Sequence, residues 1–367
     1  MQEYKNITYE NMCAEVKNRC GSFNPQPTVS NSESVPMTSY QVETIAAVLQ
    51  NLTEWGQDNA NLAQALINDI FSGKRGKMFE ALIYGWLIEH GIGFLPQPKI
   101  EMTDCFKKEK DGYQADGQIG KVEPTIFDVK QFGIGAIHLE TFRIRLQKKF
   151  PEHIICIEGS LDCSTEEIRK CLLERIGDIS AAIKKQIKKK GHSYTPPGME
   201  NRIDIRFPSV KDGYGMSVSE TDMRKWAKSN RFYFLKHGSQ FCSNVPYMIF
   251  CPFDSALGTP FTTQDAEQIY WQLRFLCRRM FIELPHMNDR RLIEFDGKAR
   301  NDITVACAAR KLSAIVFLDV TDKWEYNNCR VWVYTNPNAD YPIYKFQIDS
   351  WFRNCGAYIE DFEYDNY

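Results

Sequence analysis

Apolar and polar positions follow two different repeats along this chain, and each repeat predicts its own run of elements. Val42, Ile45, Val48, Leu49 and Leu52 fall on one stripe of a 3.6-residue period, which predicts a helix from about Gln41 to Trp55. A second helix is predicted from Asn61 to Phe71, with Gly73 as punctuation. Phe79, Leu82, Ile83, Trp86 and Leu87 repeat the stripe over roughly 76–90, and Gly91 ends it. The pattern then changes: 92–101, Tyr113 to Ile119 and Thr125 to Phe132 read as strands, with a charged loop or hairpin tip from Asp104 to Gly112. A helix over Ile134 to Phe150 and a short apolar strand, Ile154-Ile-Cys-Ile157, come next. The order is therefore helix, three strands, helix, strand.

The flanking regions are plainer. Residues 1–40 are polar and read as a loose connector. Ser164-Thr-Glu-Glu167 opens a helix that runs to about Lys190 and ends in Lys184, Lys185, Lys188, Lys189 and Lys190. Cations suit a helix C-terminus, and they equally suit a phosphate backbone. Tyr194-Thr-Pro-Pro-Gly198 breaks the chain, so three parts are expected: 1–40, 41–192 and 200–367. The last part alternates helices (about 220–237 and 263–283) with strands at Val245–Phe250, Ala314–Phe317 and Arg330–Tyr334. The expected fold class is mixed α/β (α+β), a central mixed sheet flanked by helices with a C-terminal α/β extension.

Composition narrows the function classes. The 367 residues are 43% hydrophobic and 25% charged, ordinary for a globular chain, and the net charge of −2 gives no global basic field. Any nucleic-acid surface must then be a local patch, for which Lys74, Arg75 and Lys77, Arg143 and Arg145, and Lys184 to Lys190 are the candidates. No apolar run approaches the ~20 residues of a membrane span, and Met1-Gln-Glu-Tyr-Lys5 lacks a signal-peptide core, so a cytoplasmic protein is expected. The 12 cysteines then read as reduced thiols, and with no CxxC pair a structural zinc site is disfavoured. No Walker loop, nucleophile elbow or HExxH occurs.

The chemistry concentrates between residues 76 and 131. Glu80 lies at the edge of the third helical stripe, Asp116 lies in Tyr113-Gln-Ala-Asp-Gly117, and Asp128 and Lys130 lie in Thr125-Ile-Phe-Asp-Val-Lys-Gln131. Two residues apart on a strand, Asp128 and Lys130 leave the same face. Taken singly, Glu80 reads as a solvated helix glutamate and Asp116, before Gly117, as a turn residue. Taken together they suggest a cation site, because burying such charges is costly unless they pair or meet a cation. Phosphodiester hydrolysis uses this set: carboxylates hold a divalent ion, the ion acidifies a water, and the lysine steers that water or neutralises developing charge. Hard oxygen ligands favour Mg²⁺ or Mn²⁺ over zinc.

Asp116, a spacing of 128 − 116 = 12 residues, and Asp128-Val129-Lys130 resemble the D…(D/E)xK motif of the PD-(D/E)XK, restriction-endonuclease-like nucleases. Gly76 and Glu80 supply the GxxxE often seen in that superfamily's first helix. The resemblance covers roughly 73–160, and Ala115 stands where the family has its namesake proline. It implies a restriction-endonuclease-like core with an α-β-β-β-α-β order inside 41–192. It also implies a Mg²⁺- or Mn²⁺-dependent endonuclease acting on double-stranded DNA in restriction or anti-phage defence, with a homodimer among the expected states. By that resemblance Asp116 and Asp128 ligate the metal, Glu80 completes the site, Lys130 positions the water and Gln131 assists. Lys74, Arg75, Lys77, Arg143 and Arg145 would meet the substrate. Two alternatives stay open: cleavage of RNA, and a non-catalytic binding or scaffolding protein that keeps the architecture.

Overall fold

Four helices lead into the main sheet: α1 (Tyr9–Arg19), α2 (Ser39–Glu54), α3 (Gln57–Phe71) and α4 (Arg75–Glu89). They belong to a computed structural model that describes residues 4–19, 21, 34–72, 74–100, 113–132, 136–159, 168–200, 203–210, 234–241, 244–253, 265–287, 290–293, 299–320, 330–363 and 365. A capping box starts α2: Thr38 Oγ1 accepts from the Gln41 N–H, and the Gln41 side chain accepts from the Thr38 N–H, each at 3.1 Å. Residues 78–87 of α4 are all buried, so this helix is enclosed on every side. Gly85 makes that possible, since a Cβ there would lie 2.2 Å from Thr44 Cγ2 of α2.

The central sheet has seven strands: β1 (Phe94–Pro96), β2 (Gly117–Ile119), β3 (Thr125–Val129), β4 (Tyr247–Phe253), β5 (Ala314–Asp319), β6 (Val331–Thr335) and β7 (Tyr358–Glu360). Their spatial order is β7-β6-β5-β4-β3-β2-β1. The sheet is mixed: β3, β4 and β5 run parallel, as do β6 and β7, while β1–β2, β2–β3 and β5–β6 are antiparallel. Every residue of β4 is buried, as expected for a strand between two parallel neighbours. Phe127, Met248, Phe250, Val316 and Val333 share one core with Ile45, Leu49, Phe79 and Leu82 of the helices. Each such fully buried large side chain stabilises the fold by about 1.5–3 kcal/mol.

The chain divides into two units. The first is Met1–Phe132, Arg231–Phe253 and Asp265–Tyr367; the second is Gly133–Asn230 and Asp254–Gln264. The second unit holds α5 (Ala136–Gln147), α6 (Ile176–Lys188) and a three-stranded antiparallel sheet of Cys156–Gly159, Ile203–Arg206 and Ser193–Tyr194. Phe142, Leu146, Ile155, Ile168 and Ile183 form its core. The first unit also carries α7 (Ala266–Arg278), α8 (Val305–Lys311) and α9 (Lys345–Phe352).

This arrangement corrects several expectations. The residues after 200 do not form a separate C-terminal α/β domain; β4 to β7 complete the sheet that contains the motif strand β3. The apolar run at 154–157 is observed as the strand Cys156–Gly159, and it pairs with Ile203–Arg206 rather than joining that sheet. Only an uninterrupted apolar strand suits the sheet centre, and Tyr247–Phe253 is one, whereas Glu158 forms an exposed ion pair with Arg206. The 1–40 segment is not merely a connector, because Tyr9, Met12 and Val16 give α1 a narrow buried stripe within polar sequence. The predicted strand 92–101 splits at Gln97, and Tyr113–Ile119 splits at Ala115–Asp116. The helix predicted over 164–190 is a π-geometry turn (Arg169–Leu173) followed by α6. The loop predicted at 104–112 and most of the helix predicted at 220–237 lie outside the described residues. Among the described residues no helix is long and apolar enough to cross a membrane.

Candidate functional site

The motif strand sets the geometry. Gly117 pairs with Phe127 across β2 and β3, which brings Asp116 to the level of Asp128. A Cβ at Gly117 would lie 2.1 Å from Phe127 Cζ, so the glycine after Asp116 makes room for a ring. Asp116 therefore lies at a bend that leads into a strand, so the chain does turn there, and its carboxylate is directed at the neighbouring strand. Beyond Val129 the chain keeps its parallel partner: Lys130 N donates to Phe250 O at 2.8 Å and Phe132 N to Pro252 O at 2.9 Å. That extension holds Lys130 on the face of Asp128.

Asp128 is fully buried (0% exposed). Its carboxylate accepts from Asp116 N–H (Oδ1, 3.2 Å), from Tyr113 OH (Oδ2, 2.5 Å) and from Lys130 Nζ (Oδ2, 3.0 Å), and the Tyr247 hydroxyl also favours its charged form. These three donors take up most of the roughly four lone-pair positions of a carboxylate. Burial opposes its charge, but Lys130 and the two tyrosines outweigh burial and hold its pKa below the ordinary value. Lys130 also donates to Gln240 Oε1 at 3.0 Å. Burial works against this ammonium, while Asp128 and Asp116 outweigh it and raise the pKa, so Lys130 is protonated.

Glu80 and Asp116 have different surroundings. Glu80, 2% exposed, accepts at Oε1 from Gln97 Nε2 (2.8 Å) and Tyr84 OH (3.0 Å), and at Oε2 from Lys77 Nζ. The Tyr84 hydroxyl also reaches the Asp116 carbonyl at 2.5 Å, so one phenolic proton serves two acceptors. Burial, with Glu80 and Asp116 close by, pushes the Tyr84 pKa well up. Gln97 adopts a left-handed φ of +47°, which lets its N–H donate to Asp116 O (3.1 Å) while its amide reaches Glu80. Asp116 Oδ2 accepts from Val129 N–H at 2.7 Å, and Oδ1 lies 4.0 Å from Lys77 Nζ. Burial, then Asp128, then Glu80 raise the Asp116 pKa to about 7, with Lys130 and the Val129 N–H only partly offsetting them.

Glu80, Asp116, Asp128 and Lys130 are thus linked through shared partners in one cluster. Lys77 joins them as the ion partner of Glu80. Lys74 instead pairs with Asp69 at 2.8 Å, and Gln131 is half-buried one residue past Lys130. The Arg75 side chain lies outside the described residues, and Arg143 and Arg145 sit on α5 of the second unit. Sequence reasoning missed Tyr84, Gln97, Tyr113 and Gln240. Tyr84 is four residues past Glu80 and so was open to helix-neighbour reasoning. Gln240 is 110 residues from Lys130 and carries no local signal.

A divalent ion implied by the resemblance can be tested against these donors. Among the described residues no group of three or more His, Cys, Asp or Glu is arranged to hold a metal. Asp128 does not fit as it stands, because its oxygens are occupied by protein donors. Glu80 and Asp116 do fit a hard cation: each has one oxygen fixed by the protein and the other turned toward an ammonium. Comparison of the chain with protein-family models, with curated proteins and with solved structures gives no match.

Proposed function

We propose that the chain is a Mg²⁺- or Mn²⁺-dependent endonuclease of the restriction-endonuclease-like class, acting on double-stranded DNA. One observation supports this reading above the others: three carboxylates, Glu80, Asp116 and Asp128, gather around two ammonium groups, Lys77 and Lys130, a surplus of negative charge that a divalent cation would relieve; burial and then the neighbouring acids raise the Asp116 pKa to about 7. Glu80 and Asp116 are the chain's own oxygen donors for such an ion. When bound, the ion supplies a water of lowered pKa and neutralises phosphoryl charge. Lys130 keeps its proton and therefore stabilises charge developing on the phosphoryl group instead of acting as a base. Asp128 and Gln240 hold the Lys130 ammonium in place.

The second reading is a non-catalytic binding or scaffolding protein. The burial of Asp128 among three protein donors favours it, since a carboxylate so enclosed is also what a static ion pair requires. Cleavage assays on plasmid, linear duplex, single strands and RNA, with and without Mg²⁺, separate the two when Lys130→Ala is run beside the parent. The nuclease reading expects metal-dependent cutting of duplex DNA that falls about 10²–10³-fold in the variant, roughly 3–4 kcal/mol of barrier. Cutting confined to RNA would shift the substrate class. A parent that cuts nothing, with a variant destabilised by roughly 3–5 kcal/mol, would leave the scaffold.

A further inference from the structure

The resemblance sets Lys77 among the substrate-contacting cations, and its position suggests a further task. It lies three residues before Glu80 on α4, where i and i+3 side chains meet. Its Nζ is hydrogen-bonded to Glu80 Oε2 and lies 4.0 Å from Asp116 Oδ1, so carboxylates from two separate elements face a single ammonium. The other oxygen of each acid is anchored: Glu80 Oε1 by Gln97 and Tyr84, Asp116 Oδ2 by the Val129 N–H. Among the described residues, the two oxygens directed at Lys77 are therefore the two that are left for a cation.

Lys77 and Lys130 differ in what confines them. The Lys130 side chain is 21% exposed, but its ammonium is gripped by both the fully buried Asp128 and Gln240. The Lys77 side chain is 29% exposed on a flexible four-carbon stem, so its ammonium can leave for water without disturbing α4.

We propose that Lys77 is a tethered cation that holds the Glu80–Asp116 pair together in the metal-free chain and is displaced when a divalent ion binds there. The identity of the displacing ion rests on the reading above; the competition itself does not require catalysis. Lysine and metal then exclude one another, so the lysine weakens metal binding and supports the metal-free fold.

Mn²⁺ titrations followed by electron paramagnetic resonance test this, without nucleic acid and at a pH above the Asp116 value of about 7. Lys77→Met is expected to bind Mn²⁺ about tenfold more tightly than the parent, the fold-change of about 1.4 kcal/mol. Its melting temperature should be lower than the parent's without metal and equal to it in saturating Mn²⁺. Lys77→Gln, purified with Mn²⁺ and then chelated, serves the same comparison if the methionine variant does not fold metal-free. Unchanged or weaker Mn²⁺ affinity, a melting deficit that persists with metal, or no Mn²⁺ binding by any of the three proteins overturns the proposal. A chain that shows the lysine effect yet cuts nothing removes the nuclease reading and leaves this one. A chain that cuts, with Mn²⁺ affinity indifferent to residue 77, does the reverse.

Discussion

Two polar clusters are set into the first unit, and their charges are balanced in opposite ways. In the cluster around β7, Glu360 accepts from Tyr270 OH and from Arg274 Nε, both at 2.6 Å, and from Phe362 N–H at 2.9 Å. Arg278 meets Asp365 at 2.7 Å, and Arg279 meets Glu283 at 2.8 Å. Burial opposes the charge of Glu360, but Tyr270 and Arg274 outweigh it, so its pKa is lowered; burial likewise opposes Arg274, and Glu360 and Asp365 raise it. Each of these charges stabilises its neighbour. Around Asp116 the result is reversed: an acid held near pH 7 by burial first and by two other acids next is a charge the fold tolerates at a cost. A network kept for architecture neutralises itself, whereas under the nuclease reading a surplus of one sign is the place where a cation arrives.

The largest effect expected from this contrast is in the balanced cluster. Glu360→Gln removes the acceptor charge shared by Tyr270 and Arg274 and leaves a partly buried guanidinium without its closest counter-charge. Denaturant unfolding should show a loss of about 2–3 kcal/mol. Unaltered stability would mean that this cluster is dispensable and the contrast is empty.

The opposite sign is expected at Asp116. Its folded pKa of about 7 lies above the 3.8 of the free side chain, so protonation is favoured by folding. The contribution is fully present below the unfolded value and is lost as pH rises through the folded one, across a window from about 3.8 to 7. Asp116→Asn keeps an oxygen for the Val129 N–H and has no charge to lose. In the absence of divalent metal the variant should be more stable than the parent at pH 8, by on the order of 1–2 kcal/mol, with the gap shrinking toward pH 5. Melting curves at the two pH values decide it: a variant less stable at pH 8 would show Asp116 to be an ordinary structural acid.

The sequence made this second cluster partly legible because its main acids and lysine lie close together in one stretch. The parity of Asp128 and Lys130, the strand character of Thr125–Val129 and the buried stripe of α4 all follow from local periodicity. What joins distant segments was not legible. β4, which flanks the motif strand and supplies Tyr247 beside Asp128, lies more than a hundred residues downstream, past the whole second unit's first segment. A nearer apolar run, 154–157, looked equally suitable by composition, and only the requirement for burial on both faces distinguishes them. The need for glycine at 117 was not legible for a related reason, since the ring it accommodates belongs to the next strand. The cluster around Glu360 went unnoticed because Tyr270 and Arg274 are 90 and 86 residues from it.

The smallest effect is expected at Lys74, and it sharpens the contrast at the edge of the basic patch. Its side chain is 65% exposed and pairs with Asp69, which makes it a surface ion pair and not a member of either cluster. Such a pair contributes at most about 0.5 kcal/mol in most settings, because water screens the charges and two flexible side chains must be held still. Lys74→Ala should therefore leave the melting temperature almost unchanged. Under the nuclease reading the same charge meets a phosphate, which carries no sequence information. Duplex binding should then weaken by the same factor for every sequence, and the slope of log affinity against log salt should shrink by about 0.9 for the single phosphate no longer neutralised. Fluorescence anisotropy over a range of salt concentrations measures both quantities. An unchanged slope assigns Lys74 to solubility, and it moves the search for the phosphate-binding cation to Lys77, whose ammonium becomes available once it leaves Glu80.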